Sequence, residues 1–251
     1  MNPLDLSGKV ILISGAGKPG GQGAAEAKLL SELGALVTIG DVIDDEGAQT
    51  AKSLGDGVSY AHLDVTDEKN WAAVVADIHG AHGRIDGLVN NAGVWSGTGI
   101  RDTSLEEFQR VIAINQIGPF LGTKAVASLM CEAGAGSIVN TVSAASLRIG
   151  VTYWHNSLTA HAYTVTKWAV HGMTKATAME FAPFNVRVNS LHPGPIQTSM
   201  LGGDTDDIAA CVPMKRLGQP RDIAGMVAFL MSDMCPFMTG AEIAIDGAAT
   251  V

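Results

Sequence analysis

Tyr163 and Lys167 stand four residues apart within 162–181, a stretch that reads as a long helix. On a helix, positions i and i+4 share one face, a turn apart. A phenol ionises near about pH 10, but an ammonium beside it favours the phenolate. The pair therefore offers a proton acceptor usable near neutral pH. The other two tyrosines have no such partner: Tyr60 is followed at that spacing by Asp64 and Tyr153 by Ser157. A tyrosine and a lysine also share a surface helical face by chance, so the pair needs a setting.

That setting begins near the start of the chain. Ser14-Gly15-Ala16-Gly17-Lys18-Pro19-Gly20-Gly21-Gln22-Gly23 follows a β-branched apolar run and leads directly into a helical pattern. Glycines there permit a tight turn and a close backbone approach to a pyrophosphate seated against the helix N-terminus. Glycine clusters also serve ordinary turns; the position between the first strand and the first helix makes this one a candidate cradle. Gly15, Lys18, Gly21, Gln22 and Gly23 are its candidate cofactor contacts. Asp41 stands 18 residues after Gly23, at the end of the second strand. A carboxylate there accepts hydrogen bonds from ribose hydroxyls and repels a 2′-phosphate, which favours NAD over NADP. Lys18 pulls the other way, as a cation able to meet that phosphate.

The elements that must position these groups alternate. Strands are predicted over 10–14, 36–40, 58–63, 85–90, 137–142, 186–191 and 242–245. Helices are predicted over 24–33, 46–54, 67–79, 105–113, 118–133, 162–181 and 221–231. Strands separated by helices of about ten residues imply a parallel sheet with crossovers on both faces. The continuous apolar character of the strands fits a sheet covered on both sides. With no repeat, low-complexity segment or linker, the expectation is one α/β domain over 1–251, a Rossmann-like doubly wound sheet. Its cofactor half is about 1–142 and its catalytic and substrate half about 143–251. Only 144–161 and 197–213 lack a clear period, and long irregular loops in compact domains are often binding loops.

The bulk properties exclude several classes. Sixteen basic against 25 acidic residues leave a net charge of −9, and no basic run occurs, so nucleic acid is not an expected partner. Three cysteines, Cys131, Cys211 and Cys235, are widely spaced and suggest neither a disulfide framework nor a metal site. Residues 1–9 show no export signal, and no apolar run is long enough to span a membrane. A cytoplasmic protein with no membrane partner is expected.

Taken together, the motifs resemble the short-chain dehydrogenase/reductase family over essentially the whole chain. Gly15, Gly21 and Gly23 match its T-G-x3-G-x-G loop, with Ser14 for Thr. Asp64-Val65 matches the pair that meets the adenine, and Asn90-Asn91-Ala92-Gly93 matches the N-N-A-G segment, placing Asn91 and Gly93 at the cofactor. Pro193-Gly194, with Ile196 and Thr198, matches the nicotinamide-side loop, and Asp246-Gly247 the near-terminal pair. Asn115, Ser143, Tyr163 and Lys167 match the catalytic tetrad in order. Two spacings depart from the pattern. Five residues separate Gly15 from Gly21 where three are usual, and strict spacing returns only from Gly17. Nineteen residues separate Ser143 from Tyr163 where about a dozen are usual, with the surplus in 151–161.

The resemblance implies hydride transfer between NAD and a secondary alcohol or ketone. In that scheme Tyr163 exchanges the hydroxyl proton and Ser143 hydrogen-bonds the substrate oxygen. Lys167 lowers the Tyr163 pKa and holds the nicotinamide ribose, and Asn115 supports Lys167 through a water-linked relay. No metal is implied, and His155 and His161 read as ordinary loop histidines. Trp95, Tyr153, Trp154, Met200 and Leu201 are candidate substrate contacts at the pocket mouth, and 151–161 is expected to govern substrate choice. Trp168 reads as a packing residue. Asp41–Gly47, His62–Thr66 and Val188–Gly194 are most similar to bacterial hydroxysteroid dehydrogenases; cyclic, terpenoid and aryl ketones are other candidates. The alternatives are a 3-oxoacyl carrier-protein reductase, against which Asp41 and the acidic charge argue, and a non-catalytic nucleotide sensor. The family also implies a homotetramer, with 118–133 and 162–181 at the contact.

Overall fold

Seven apolar runs form one parallel sheet in the computed structural model, which describes residues 4–149, 160–201 and 205–251. The strands are β1 (Val10–Ser14), β2 (Leu36–Asp41), β3 (Val58–His62), β4 (Gly87–Asn90), β5 (Gly136–Thr141), β6 (Val186–Pro193) and β7 (Glu242–Ile245). The helices are α1 (Gln22–Glu32), α2 (Asp44–Leu54), α3 (Glu68–His82), α4 (Leu105–Ile112), α5 (Gly118–Ala133), α6 (His161–Phe181), α7 (Thr205–Cys211) and α8 (Pro220–Met231). The strand order is β3-β2-β1-β4-β5-β6-β7, every pairing parallel, which is the doubly wound α/β fold expected.

Alternation along each strand divides the core in two. Ile11 and Ile13 of β1 face a cluster with Leu30 of α1 and Ile223 and Val227 of α8. Val10 and Leu12 face the opposite cluster, with Trp71 and Ile78 of α3, Met130 of α5 and Phe181 of α6. Side chains of successive strand residues point to opposite faces, so a run apolar at every position serves both layers. Each large side chain so enclosed contributes about 2 kcal/mol. Trp71 is wholly buried yet satisfied, its indole N–H donating to the Val65 carbonyl at 3.0 Å.

The connection after β1 leads outward to β2 and β3, while β4 returns on the other side of β1. At that reversal the loops after β1 and β4 diverge and leave a crevice at the carboxyl ends of the strands. Two elements depart from the sequence expectation. α7 lies within 197–213, where its seven residues are too few to show a period. Between α4 and α5 the chain does not break: Ala113–Ile117 is a π-helical turn that carries one helix into the next. Among the described residues no helix is long and apolar enough to cross a membrane.

Candidate active site

A cavity of about 810 Å³ opens at that crevice, lined by residues that follow β1 through β6. It collects Gly15, Lys18, Gly21, Gln22, Asp41, Asp64 and Val65 at or beyond the ends of β1, β2 and β3, and Asn91 and Gly93 after β4, where a Cβ on Gly93 would lie 3.5 Å from Lys167 Nζ. Ser143, Tyr163, Lys167, Pro193, Gly194, Ile196 and Thr198 line the other side, with Trp95, Met200 and Leu201. Tyr153 and Trp154, and most of 151–161, lie outside the described residues.

The first side is tied together through the backbone. Gly15 sits at φ +67°, and a Cβ there would come within 2.5 Å of the Ala92 Cα, so only glycine fits. Gly23 does not line the cavity, contrary to expectation. A Cβ on it would meet Ala16 and the Asn91 amide at 2.7 Å, so it serves the packing of α1 against the strand ends. Asn91 fastens the loop: its Nδ2 donates to the carbonyls of Ser14 and Gly15 at 3.1 and 2.9 Å, and its Oδ1 accepts from Gln22 Nε2 at 3.1 Å. The same Gln22 amide donates to Glu26 Oε1 at 3.0 Å. Glu26 is wholly buried, and burial pushes its carboxyl up to about 8, so it is held as the neutral acid.

The long glycine loop leans on the end of β2. Asp41 Oδ2 accepts from the Gly17 N–H at 2.9 Å, and its Oδ1 from the Val42 N–H at 2.8 Å. Thr50 of α2 donates to the Gly17 carbonyl at 2.7 Å, and the Tyr60 hydroxyl to the Asp41 carbonyl at 2.6 Å. The two bonds to Gly17 fix the loop there, and residues 18–20 beyond it are exposed.

On the second side, Ser143 follows β5 and caps a three-residue 3-10 turn, Ala144–Ser146, its Oγ accepting from the Ala145 N–H at 3.2 Å. Tyr163 and Lys167 lie one turn apart on α6, both buried. Tyr163 is hydrogen-bonded to Ser143. The Lys167 ammonium lies 5.5 Å from the Tyr163 ring centroid and donates to the Thr141 carbonyl at 2.9 Å. Burial brings Lys167 down to about 8. Burial also raises Tyr163 above the usual phenol value, with the Ser143 hydrogen bond acting against it. An ammonium beside the ring favours the phenolate, whereas burial of the phenol pushes the other way. Trp95 covers the Tyr163 ring, centroids 4.7 Å apart.

Asn115 does not line the cavity. The π turn directs its side chain inward, where Oδ1 accepts from the Val94 N–H at 2.8 Å and Nδ2 donates to the Val94 carbonyl at 2.9 Å. It thereby clamps the segment between Gly93 and Trp95. Trp168, read as a packing residue, is 44% exposed; its indole N–H donates to the Ala145 carbonyl at 3.1 Å and its ring lies 6.1 Å from that of His171.

The family model described as enoyl-(acyl carrier protein) reductase matches residues 15–250. A 3-alpha-(or 20-beta)-hydroxysteroid dehydrogenase from Mycobacterium bovis is 40% identical over 242 residues, 96% of this chain and 89% of that one. A trans-4-hydroxycyclohexanecarboxylate dehydrogenase from Sinomonas cyclohexanicum is 40% identical, covering 96% and 93%. A 3-ketoacyl-(acyl-carrier-protein) reductase from Brucella melitensis, solved in complex with NADH, superposes with a TM-score of 0.89 at 32% identity, over 98% of this chain and all of that one. The chain belongs to the short-chain dehydrogenase/reductase family. It is accordingly an oxidoreductase of the alcohol dehydrogenase type, using a nicotinamide cofactor.

The cavity fits that cofactor in a short-chain dehydrogenase. Its size is that of a large ligand site, with the Asp41 carboxylate at the end of β2 and Ser143 with the buried Tyr163 and Lys167 beyond β5. Sequence reasoning missed Arg110 and Ile114, which also line the cavity. They stand at i and i+4 immediately before Asn115, so one helical face carries them to the site; that spacing was the available signal. Val42 and Ile43 after β2 and Leu63 after β3 line the cavity too and were not singled out.

Proposed function

We propose that this short-chain dehydrogenase uses NAD to oxidise a secondary alcohol, or reduce the ketone, of a bulky or cyclic hydrophobic substrate of the hydroxysteroid kind. The observation that carries the reading is one cavity holding Asp41 at one end and Ser143, Tyr163 and Lys167 at the other. Asp41, held by two backbone N–H groups, presents a fixed carboxylate to a ribose and disfavours a 2′-phosphate. Gly15, Gly21, Gln22 and Lys18 receive the pyrophosphate, Asp64 and Val65 the adenine, and Asn91 and Gly93 the nicotinamide side with Pro193, Gly194, Ile196 and Thr198.

The nicotinamide supplies or accepts the hydride. In the oxidation, Tyr163 takes the hydroxyl proton as the carbon–hydrogen bond breaks, and Ser143 hydrogen-bonds the same oxygen. Lys167 holds the nicotinamide ribose, and its positive charge favours the Tyr163 phenolate. Asn115 keeps Val94, and so the adjoining Gly93 and Trp95, in place. Trp95, Met200 and Leu201 form an apolar wall suited to a ring system, in keeping with the steroid and hydroxycyclohexane substrates in the relatives' names.

The active form is proposed to be a homotetramer, supported by the exposed apolar residues Ile117 and Phe120 near the start of α5 and Val165, Trp168 and Met179 on α6. A second reading, reduction of 3-oxoacyl carrier-protein thioesters, is favoured by the Brucella structure. Nicotinamide absorbance, followed over a panel of cyclic alcohols, ketones and a 3-oxoacyl thioester with each cofactor, decides between them. Turnover of cyclic alcohols with NAD is expected. Preferential reduction of the thioester with NADPH overturns the reading.

A further inference from the structure

Behind Ser143 the protein encloses an imidazole that the reaction described above leaves unused. His192 lies near the end of β6, fully buried, one residue before the Pro193-Gly194 loop. Its Nδ1 is 2.9 Å from Ser146 Oγ and 3.2 Å from the Ser143 carbonyl oxygen, and its Nε2 is 2.8 Å from Ser190 Oγ. The Ser143 carbonyl also accepts from the Ser146 N–H at 3.0 Å and from the Ser146 hydroxyl at 2.7 Å. The Ser143 carbonyl oxygen can only accept, so its contact with Nδ1 favours the tautomer with the ring proton there. Nε2 then accepts from the Ser190 hydroxyl, which also reaches the Ala241 carbonyl at 3.2 Å. Burial, and next the neighbouring His171, hold the ring down to about 4, so it remains neutral in this tautomer.

The surroundings restrain the ring. His171 of α6 stands edge-on at 4.9 Å and is itself fixed by Glu242 at 2.5 Å, which also pairs with Lys175 at 3.1 Å. β6 is paired on both sides, with β5 and β7, so His192 is carried by a rigid interior strand. The turn Ala144–Ser146 has only three residues, held by short local bonds such as Ser146 N–H to the Ser143 carbonyl, and His192 ties it to that strand.

We propose that His192 is a positioning residue: its Nδ1–H, shared between the Ser143 carbonyl and Ser146 Oγ, holds the turn that aims the Ser143 hydroxyl at the substrate oxygen. The inference rests on Ser143 acting on that oxygen. A serine shifted by part of an ångström stabilises the transition state less, while a cofactor bound mainly elsewhere is little affected. The same strand runs into Pro193-Gly194, so one rigid element registers Ser143 against the nicotinamide-side loop.

The test uses His192→Leu, His192→Asn, His192→Gln, Ser143→Ala and the double variant His192→Leu/Ser143→Ala, assayed with NAD and the alcohol turned over fastest in the panel. Melting temperature and NADH affinity are measured alongside. His192→Leu should lose about 10- to 100-fold in kcat while the NADH Kd moves less than about threefold. Adding it to Ser143→Ala should cost less than about twofold more, because the two act through one group. Asparagine can place an amide N–H near the Nδ1 position and glutamine near Nε2, so His192→Asn should keep more kcat than His192→Gln; this comparison stands even if the leucine variant fails to fold. Wild-type kcat in His192→Leu, losses that multiply in the double variant, or a glutamine variant equal to or better than the asparagine one overturns the proposal. Full activity in Ser143→Ala removes both this inference and the reading of Ser143 beneath it. A crippled Ser143→Ala beside an unaffected His192→Leu removes this inference alone.

Discussion

At the Asp41 end of the cavity, polar atoms are tied down by the main chain: both carboxylate oxygens accept backbone N–H groups, and Asn91 binds two loop carbonyls. At the Trp95 end the wall is made of side chains on connections. Trp95 rests on Tyr163, and Met200 is 49% exposed. The first construction fixes one ligand shape through backbone geometry that few substitutions can alter. The second can be remodelled residue by residue without disturbing the sheet, as loops borne on a rigid scaffold generally can. A constant cofactor and a variable substrate are the natural outcome.

The sharpest blow falls where the two ends meet. Tyr163→Phe removes the proton acceptor and should lower kcat by about 100- to 10 000-fold, with folding and cofactor affinity kept. Near-normal turnover would show that the proton leaves by another group. Replacing Trp95 by Ala should raise KM for a cyclic alcohol by roughly tenfold and reorder the substrate panel, while the preference between cofactors stays put. Asp41→Ala should do the reverse, narrowing the NAD preference by up to about tenfold, about 1.4 kcal/mol, and leaving the substrate order alone. A wild-type preference for NADP would mean that Lys18 dominates that end. If either variant changes both properties, the ends are coupled and the contrast fails.

The smallest effect concerns stability under the cofactor end. Glu26 titrates at about 8 in the fold against an ordinary 4.5, so the folded protein holds its proton more tightly than the unfolded chain. Its contribution is full below about 4.5 and is lost as pH rises through about 8. Glu26→Gln lacks that loss. Its Tm relative to wild type should climb steadily from about pH 5 to about pH 9, and a constant difference would show that Glu26 is ionised in the fold.

The strand–helix alternation, the glycine loop and the Tyr163–Lys167 spacing were legible because each expresses a local rule: a period, a turn requirement, or an i,i+4 face. The position of Gly23 was read as a ligand contact because sequence spacing does not separate a glycine packed against ligand from one that packs α1 against Ala16 and Asn91. The push that burial exerts on Tyr163 was not legible either. Spacing places the ammonium nearby, but only the fold reveals how completely the phenol is desolvated. Neither His192 nor Glu26 was singled out by itself, because each stands among other polar residues and its complete burial shows only in the fold.

The π turn at Ala113–Ile117 has a further consequence, for insertions and deletions. Removing one residue there would restore an ordinary helical turn and rotate α5 by roughly 100° against α4. Then either Leu121, Val126 and Met130 leave the core, or Arg110 and Ile114 leave the cavity. The junction is therefore length-locked: amino acids within it can be exchanged, but their number cannot. The glycine loop is the opposite case, since its two surplus residues are absorbed at an exposed stretch around Lys18–Gly20. Chain-length variation among functional versions of this protein should collect at that loop and be absent from 113–117.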